Sequence, residues 1–351
     1  MPRNSNIKIL AAAFALGAGC AMTMGKKRER FSFVGRAVLI TGGSRGLGLE
    51  LARQLATEGA RITLVARDAD ELKRAEDEVG NLGTEVHSFA CDVRDRDSVA
   101  AAVTFAATKM GRVDVLINNA GIIQVGPMEE MMISDFEEAM AVHFFGPLYF
   151  TLASRPHMLV NGGGRIINIS SVGGKIAMPH LLPYVASKFA LTGFSEGLGI
   201  ELARQNIHVT TVCPGLMRTG SPRNAIFKGR HRQEYAWFSI SGSLPLLSMS
   251  AARAARRIIE ACRRGRPRLV LGAHAKAAVV LNEIAPGGMA KILSAINRAL
   301  PANGSGTSQP KMGYESQSRW SPSWLTKLGE DAARRNNEIP PDEDIGKYKA
   351  A

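Results

Sequence analysis

The 351-residue chain has only four cysteines, Cys20, Cys91, Cys213 and Cys262, and none forms a CxxC pair. That scarcity excludes a disulfide-stapled fold and leaves no readable zinc site, so no metal is expected and a reducing compartment suits the thiols. Charged residues reach only 21% against 45% hydrophobic ones, which excludes wholesale disorder and fibrous structure. Long uncharged apolar runs are missing beyond the first 25 residues, so a multi-span membrane protein is excluded as well. Acidic residues are the scarcer charge, 31 against 44 basic ones, giving a net +13.

Nine of those thirteen charges fall in two short stretches. One is Lys26, Lys27, Arg28 and Arg30 around Glu29; the other is the seven arginines between Arg253 and Arg268 around Glu260. Such patches attract polyanions or anionic headgroups, although a solvated basic face is the commoner meaning of a charge run. Nucleic acid is not expected as a partner, because no nucleic-acid motif accompanies the charge and aromatic residues do not interleave with it.

Ile9 to Met24 is an apolar run of sixteen residues followed by the KKRER cluster. As a helix it would span roughly 24 Å, short of a ~30 Å hydrocarbon core. A membrane anchor, a cleaved signal peptide and an ordinary leader helix compete here. The basic cluster after the run resists export, which favours an anchor with the main domain in the cytoplasm; a cleaved signal and export is the alternative.

A strand–helix alternation starts near Phe31. Apolar strands are expected at Ala37–Thr41, Arg61–Ala66, Glu85–Ala90, Val113–Ile117, Arg165–Ile169, Ile207–Val212 and Arg268–Leu271. Helices are expected at Arg45–Glu58, Asp68–Leu82, Asp95–Met110, Phe136–Leu159 and Tyr184–Arg204. Repeated units of this kind imply an α/β fold, a doubly wound parallel sheet with helices on both faces. The chain divides into an apolar leader at 1–30, the α/β domain at 31–272 and a C-terminal extension at 273–351. In the extension, Met289, Ile292, Leu293 and Ile296 have helical spacing and Pro301–Gly313 reads as a linker. The remainder is a polar tail with Tyr314, Trp320 and Trp324 as expected anchors.

Between the first strand and its helix stands Thr41-Gly42-Gly43-Ser44-Arg45-Gly46-Leu47-Gly48. In that position Gly42 permits a sharp turn, Gly46 lets backbone approach a pyrophosphate, and Gly48 lets the helix pack close. The helix N-terminus then offers free N–H groups to phosphate. A dinucleotide site specific for NAD(H) usually carries an acid at the end of the second strand. Here Ala66 is followed by Arg67, and Arg45 lies in the glycine loop, so NADP(H) is expected over NAD(H).

Tyr184 and Lys188 lie one helical turn apart, and Ser171 precedes Tyr184 by thirteen residues, just past the fifth strand. A nearby ammonium is expected to lower the tyrosine pKa from about 10, which prepares it to exchange a proton near neutrality. Ser171 would hydrogen-bond a substrate oxygen.

With these motifs in order, the chain resembles the short-chain dehydrogenase/reductase family in its single-domain form, from about Phe31 to Gly272. The resemblance rests on TGGSRGLG at 41–48, Asp92-Val93, Asn118-Asn119-Ala120-Gly121, Ser171, Tyr184 and Lys188, and Pro214-Gly215 with Thr219. It implies a Rossmann sheet and a carbonyl/alcohol oxidoreductase using a nicotinamide cofactor. Asp92, next to Val93, would contact adenine and Asn118, next to Asn119, would support the loop against the cofactor. Lys188 would bind the nicotinamide ribose, and Pro214, Gly215 and Thr219 would lie beside the nicotinamide. One position departs from the family: His143 stands where an asparagine usually holds a proton-relay water. It is a candidate catalytic residue, with a packed, satisfied ring as the plain alternative.

The segment 215–247 should cover the substrate. Its Phe227, Tyr235, Trp237, Phe238, Leu244, Leu246 and Leu247 suit a small hydrophobic carbonyl or alcohol, or else simply pack. A catalytically idle NADP-binding scaffold is the competing function. A membrane surface is an expected partner, and a homo-oligomer is compatible with the sequence.

Overall fold

The computed structural model describes residues 30–302 and 309–340; the apolar run Ile9–Met24, and with it the anchor or signal expected there, lies outside them. The described residues from Ser32 onward form one compact unit. In chain order its first elements are β1 (Ala37–Thr41), α1 (Gly46–Thr57), β2 (Arg61–Ala66), α2 (Ala69–Gly80), β3 (Val86–Ala90), α3 (Arg96–Met110), β4 (Val115–Asn118), β5 (Gln124–Val125) and α4 (Ile133–Met140). Then come α5 (Gly146–Val160), β6 (Gly164–Ile169), α6 (Leu182–Leu202), β7 (Ile207–Pro214), β8 (Leu216–Arg218), β9 (Ile226–Phe227), α7 (His231–Ser243), β10 (Ser248–Ser250), α8 (Ala251–Arg263) and β11 (Arg268–Leu271). The C-terminal part adds α9 (Ala273–Ile284), α10 (Pro286–Ala299), β12 (Lys311–Met312) and α11 (Lys327–Arg335).

Seven strands form a sheet in the order β11-β7-β6-β4-β1-β2-β3, and every pairing in it is parallel. All residues of β1, β4 and β6 are buried, as a sheet covered on both faces requires of its central strands. Strand order reverses between β1 and β4. The crevice at their carboxyl ends is where such sheets bind ligands. Asp114 fixes the opposite end, accepting from the Ala37 N–H at 3.0 Å and pairing with Arg36 and Arg112.

Three expectations need correction. The long helix expected around Phe136–Leu159 is two helices joined by a π turn at Ala141–Phe145. Pro147 has no N–H to give the His143 carbonyl, and the Gly146 N–H bonds Ala141 O, five residues back. The extension, where helical spacing was read only at Met289–Ile296, also has a helix directly after Gly272: α9 follows at once and packs with α10. Its tail is not held by the expected aromatics: Trp320 and Trp324 are 55% and 83% exposed and Tyr314 is exposed too. Instead β12 pairs with β9, and Ala332, Ala333, Asn336 and Glu338 are buried. Among the described residues no helix is long and apolar enough to cross a membrane.

Candidate active site

The glycine loop is shaped by contacts that side chains would destroy. Gly42 and Gly46 have φ of +61° and +60°, a region L side chains rarely adopt, and a Cβ on Gly48 would lie 2.0 Å from the Gly42 carbonyl oxygen. Asn119 fastens the loop by donating from Nδ2 to Thr41 O at 3.1 Å and Gly42 O at 3.0 Å, while Thr41 Oγ1 accepts from the Asn119 and Ala120 N–H groups. The support expected from Asn118 comes from its neighbour. Asn118 itself is buried and donates to Asn168 on β6, which donates to Ser195. Leu47 is buried beneath the loop and Val93 beneath α5, against Gly146. This cradle, at the N-terminus of α1, fits the phosphates of a dinucleotide.

Ser171, Tyr184, Lys188 and His143 converge at the carboxyl end of the sheet. Ser171 caps the short turn after β6, accepting from the Gly173 N–H at 3.0 Å, and its hydroxyl is near enough to the Tyr184 phenol to favour the ionised form. Lys188 is buried, donates to Ile169 O at 2.9 Å and lies 5.6 Å from the centre of the Tyr184 ring. Burial pushes its ammonium down from 10.5 to about 7. Burial also pushes the Tyr184 phenol up, and the Ser171 hydroxyl only partly offsets this. The expected lowering by Lys188 is therefore not found: desolvation dominates, and the lysine is not a fixed charge at neutrality. The phenol stays protonated.

His143 has no exposed surface. Its Nε2 accepts the Ile122 N–H at 3.1 Å, which puts the ring proton on Nδ1, 2.7 Å from Ser187 Oγ. Burial first, and then Lys188, hold its pKa well below the ordinary value, so the ring is neutral. It stands edge-on to Tyr184 with ring centres 5.4 Å apart. Both nitrogens are engaged, the geometry of the packed, satisfied ring that was the plain alternative, and Nε2 holds the Gly121–Ile122 turn.

The residues expected to select the cofactor are arranged differently from the sequence-based picture. Arg67 is exposed at the end of β2, in no ion pair among the described residues. Arg45 pairs with Glu71 of α2 at 2.6 Å and with Glu338 at 3.3 Å, and Ser44 Oγ donates to Glu71 at 3.0 Å. A carboxylate does stand at the loop, five residues past Ala66, where the sequence suggested none. Asp92 is gripped by Arg94, whose guanidinium holds the carboxyl below its ordinary value. On the other wall, Pro214 ends β7, Gly215 meets the first turn of α9, and Thr219 is buried. The Thr219 carbonyl accepts from Asn336 Nδ2 at 3.3 Å, and the Gly46 N–H donates to Asn336 O at 2.9 Å. Nothing in the polar spacing of 336–338 signals this, and the sequence missed it.

Phe227, Tyr235 and Phe238, expected over the substrate, are core residues packed with Val125, Leu181 and Val185. Ile123, Met178 and Trp237 are only partly buried against this cluster, as is Tyr184 itself. Leu246 is 91% exposed.

The family model of short chain dehydrogenases matches residues 36–226, more than half of the chain. The chain belongs to the short-chain dehydrogenase/reductase family. A Mycobacterium tuberculosis protein named as an oxidoreductase, SadH, is 36% identical over 256 residues, covering 72% of this chain and 92% of its own length. The gluconate 5-dehydrogenase of Gluconobacter oxydans is 35% identical over 54% of this chain and 75% of its own. Among solved structures, the L-sorbose reductase of Gluconobacter frateurii, in complex with NADPH and L-sorbose, matches with a TM-score of 0.62 at 26% identity, over 69% of this chain and 97% of that one. The chain is thus a short-chain dehydrogenase/reductase enzyme, an oxidoreductase of carbonyl and alcohol groups that binds a nicotinamide cofactor.

Proposed function

We propose that this enzyme uses NADP(H) to interconvert a hydrophobic carbonyl compound and its alcohol, with Tyr184 as the proton-exchanging residue. One observation carries the reading: Tyr184 stands beside Lys188, 5.6 Å from ring centre to ammonium, and packs against the same apolar cluster as Ile123, Met178 and Trp237. The glycine loop, Asp92, Asn119 and the 214–219 segment would hold the cofactor, which supplies the hydride when bound. Ser171 Oγ steadies the carbonyl oxygen of the substrate. Tyr184 Oη donates its proton to that oxygen as negative charge develops, so the stabilisation is greatest in the transition state. Lys188 would hold the cofactor's ribose, and its ammonium, once charged, favours the phenolate left by proton transfer. The apolar side chains of the wall exclude water and favour an apolar substrate.

Arg67 is the residue assigned to the 2′-phosphate, since its guanidinium is exposed at the end of β2 and the carboxylate whose charge it feels, Asp92, is held by Arg94. Titration should show NADPH binding about tenfold to a hundredfold tighter than NADH, the size of one or two charge-assisted hydrogen bonds. Arg67→Asp should reverse the order by adding repulsion. Equal affinities of the unmutated protein for the two cofactors would remove NADP(H) from the proposal.

A further inference from the structure

The segment Asn336–Glu338 lies across the crevice between the glycine loop and the 214–219 segment. Asn336 O takes the Gly46 N–H, a donor at the start of α1. Asn337, at φ +56°, turns the chain and donates from Nδ2 to Ser44 O at 2.9 Å and Glu71 O at 3.2 Å, while Arg74 donates to its Oδ1 at 3.0 Å. Asparagine tolerates this left-handed backbone better than most residues. The Glu338 carboxylate pairs with Arg45 and accepts from Asn224 Nδ2 at 2.6 Å. Its Oε1 lies so near Gly46 that a Cβ there would come within 2.8 Å of it. On the far wall Asn336 donates to Thr219 O, and α11 sits on Gly220, where a Cβ would come within 2.4 Å of Ala333. A carbonyl oxygen and a carboxylate thus stand at the helix N-terminus that otherwise receives a pyrophosphate.

We infer that residues 336–338 are an autoinhibitory strap: they fill the phosphate end of the dinucleotide crevice, and the cofactor binds only when they leave. This rests on the assignment of the glycine loop as the cofactor's phosphate cradle. The contacts are polar and local, and a strap of this kind lowers apparent affinity by the fraction of molecules in which it is undocked. Arg45, Glu71 and Arg223 face the Glu338 carboxyl from the loop, from α2 and from the turn at 221–224; burial, helped by the Glu71 charge, outweighs Arg45, Asn224 and Arg223 and raises it from 4.5 to about 7. The docked strap therefore holds a proton that the free one releases between about pH 4.5 and 7, so docking weakens as pH rises through that range.

The test compares the full chain with the double variant Asn337→Ala, Glu338→Ala, titrating each with NADPH and with NADH. The variant is expected to bind at least tenfold tighter, with a larger ratio at pH 6 than at pH 8. In the unmutated chain, saturating NADPH should speed hydrogen exchange at the Asn336 and Glu338 amides, which bond Ala332 O and Ala333 O in the docked strap. Equal or weaker binding by the variant, or added protection of these amides by NADPH, overturns the strap. If neither protein binds either dinucleotide, the assignment of the crevice itself fails, and the strap with it.

Discussion

Replacing Tyr184 by phenylalanine should reduce turnover by about 10²- to 10⁴-fold, the usual worth of a placed general acid, while leaving NADPH affinity nearly unchanged. The substitution keeps the ring, and with it the edge-on contact to His143 and the packing against Gly173. It removes only the hydroxyl beside Ser171. Because the phenol of the cofactor-free protein is held protonated, the loss falls on proton delivery to the carbonyl oxygen. Steady-state kinetics beside a binding titration separates the two quantities. Undiminished turnover in the variant would remove Tyr184 from the mechanism, and a parallel loss of NADPH binding would point to a collapsed site.

The second large effect is on stability. Lys228 is 1% exposed, and its ammonium lies 2.6 Å from Asp135 Oδ2, which also accepts the Met132 N–H at 2.7 Å. The pair ties the chain following β9 to the first turn of α4, beside the apolar cluster that carries Tyr184. Lys228→Met leaves the Asp135 carboxylate buried without its cation and should cost about 3–5 kcal/mol. Adding Asp135→Leu should recover most of that loss, since what is expensive is the unpaired charge. Urea midpoints of the two variants measure both numbers. A single variant as stable as the unmutated protein would mean that water or another group solvates Asp135.

The sheet was legible because its strands are short apolar runs between helices with clear stripes. All seven lie within two residues of the positions expected. The cradle and the Ser171–Tyr184–Lys188 group were legible for a different reason: their chemistry needs fixed residue types at fixed spacings along adjoining elements. What stayed hidden depends on contacts that leave no periodic trace. α9 buries only Ala275 and Val279, too little for a stripe. The π turn is a matter of which carbonyl each N–H finds, and Pro147 alone hints at it. Glu71 lies on a helix that reads as a charged solvent face, yet its carboxylate reaches Ser44 and Arg45. The tail was expected to anchor through its large aromatics, which are exposed, whereas Asn336, Asn337 and Glu338 dock through polar groups more than 250 residues from their partners on the glycine loop. Sequence hydropathy marks such residues as solvated, and only their tertiary neighbours show otherwise.

The most direct test of the central claim follows the hydrogen itself. The protein is given NADPH deuterated at both C4 positions and a panel of apolar ketones, and the alcohols formed are analysed by mass spectrometry. The account predicts an alcohol with one deuterium on its carbinol carbon, formed by the unmutated protein and nearly lost in Tyr184→Phe. Alcohol without that label, or no reduction of any ketone by a protein that binds NADPH, would contradict it.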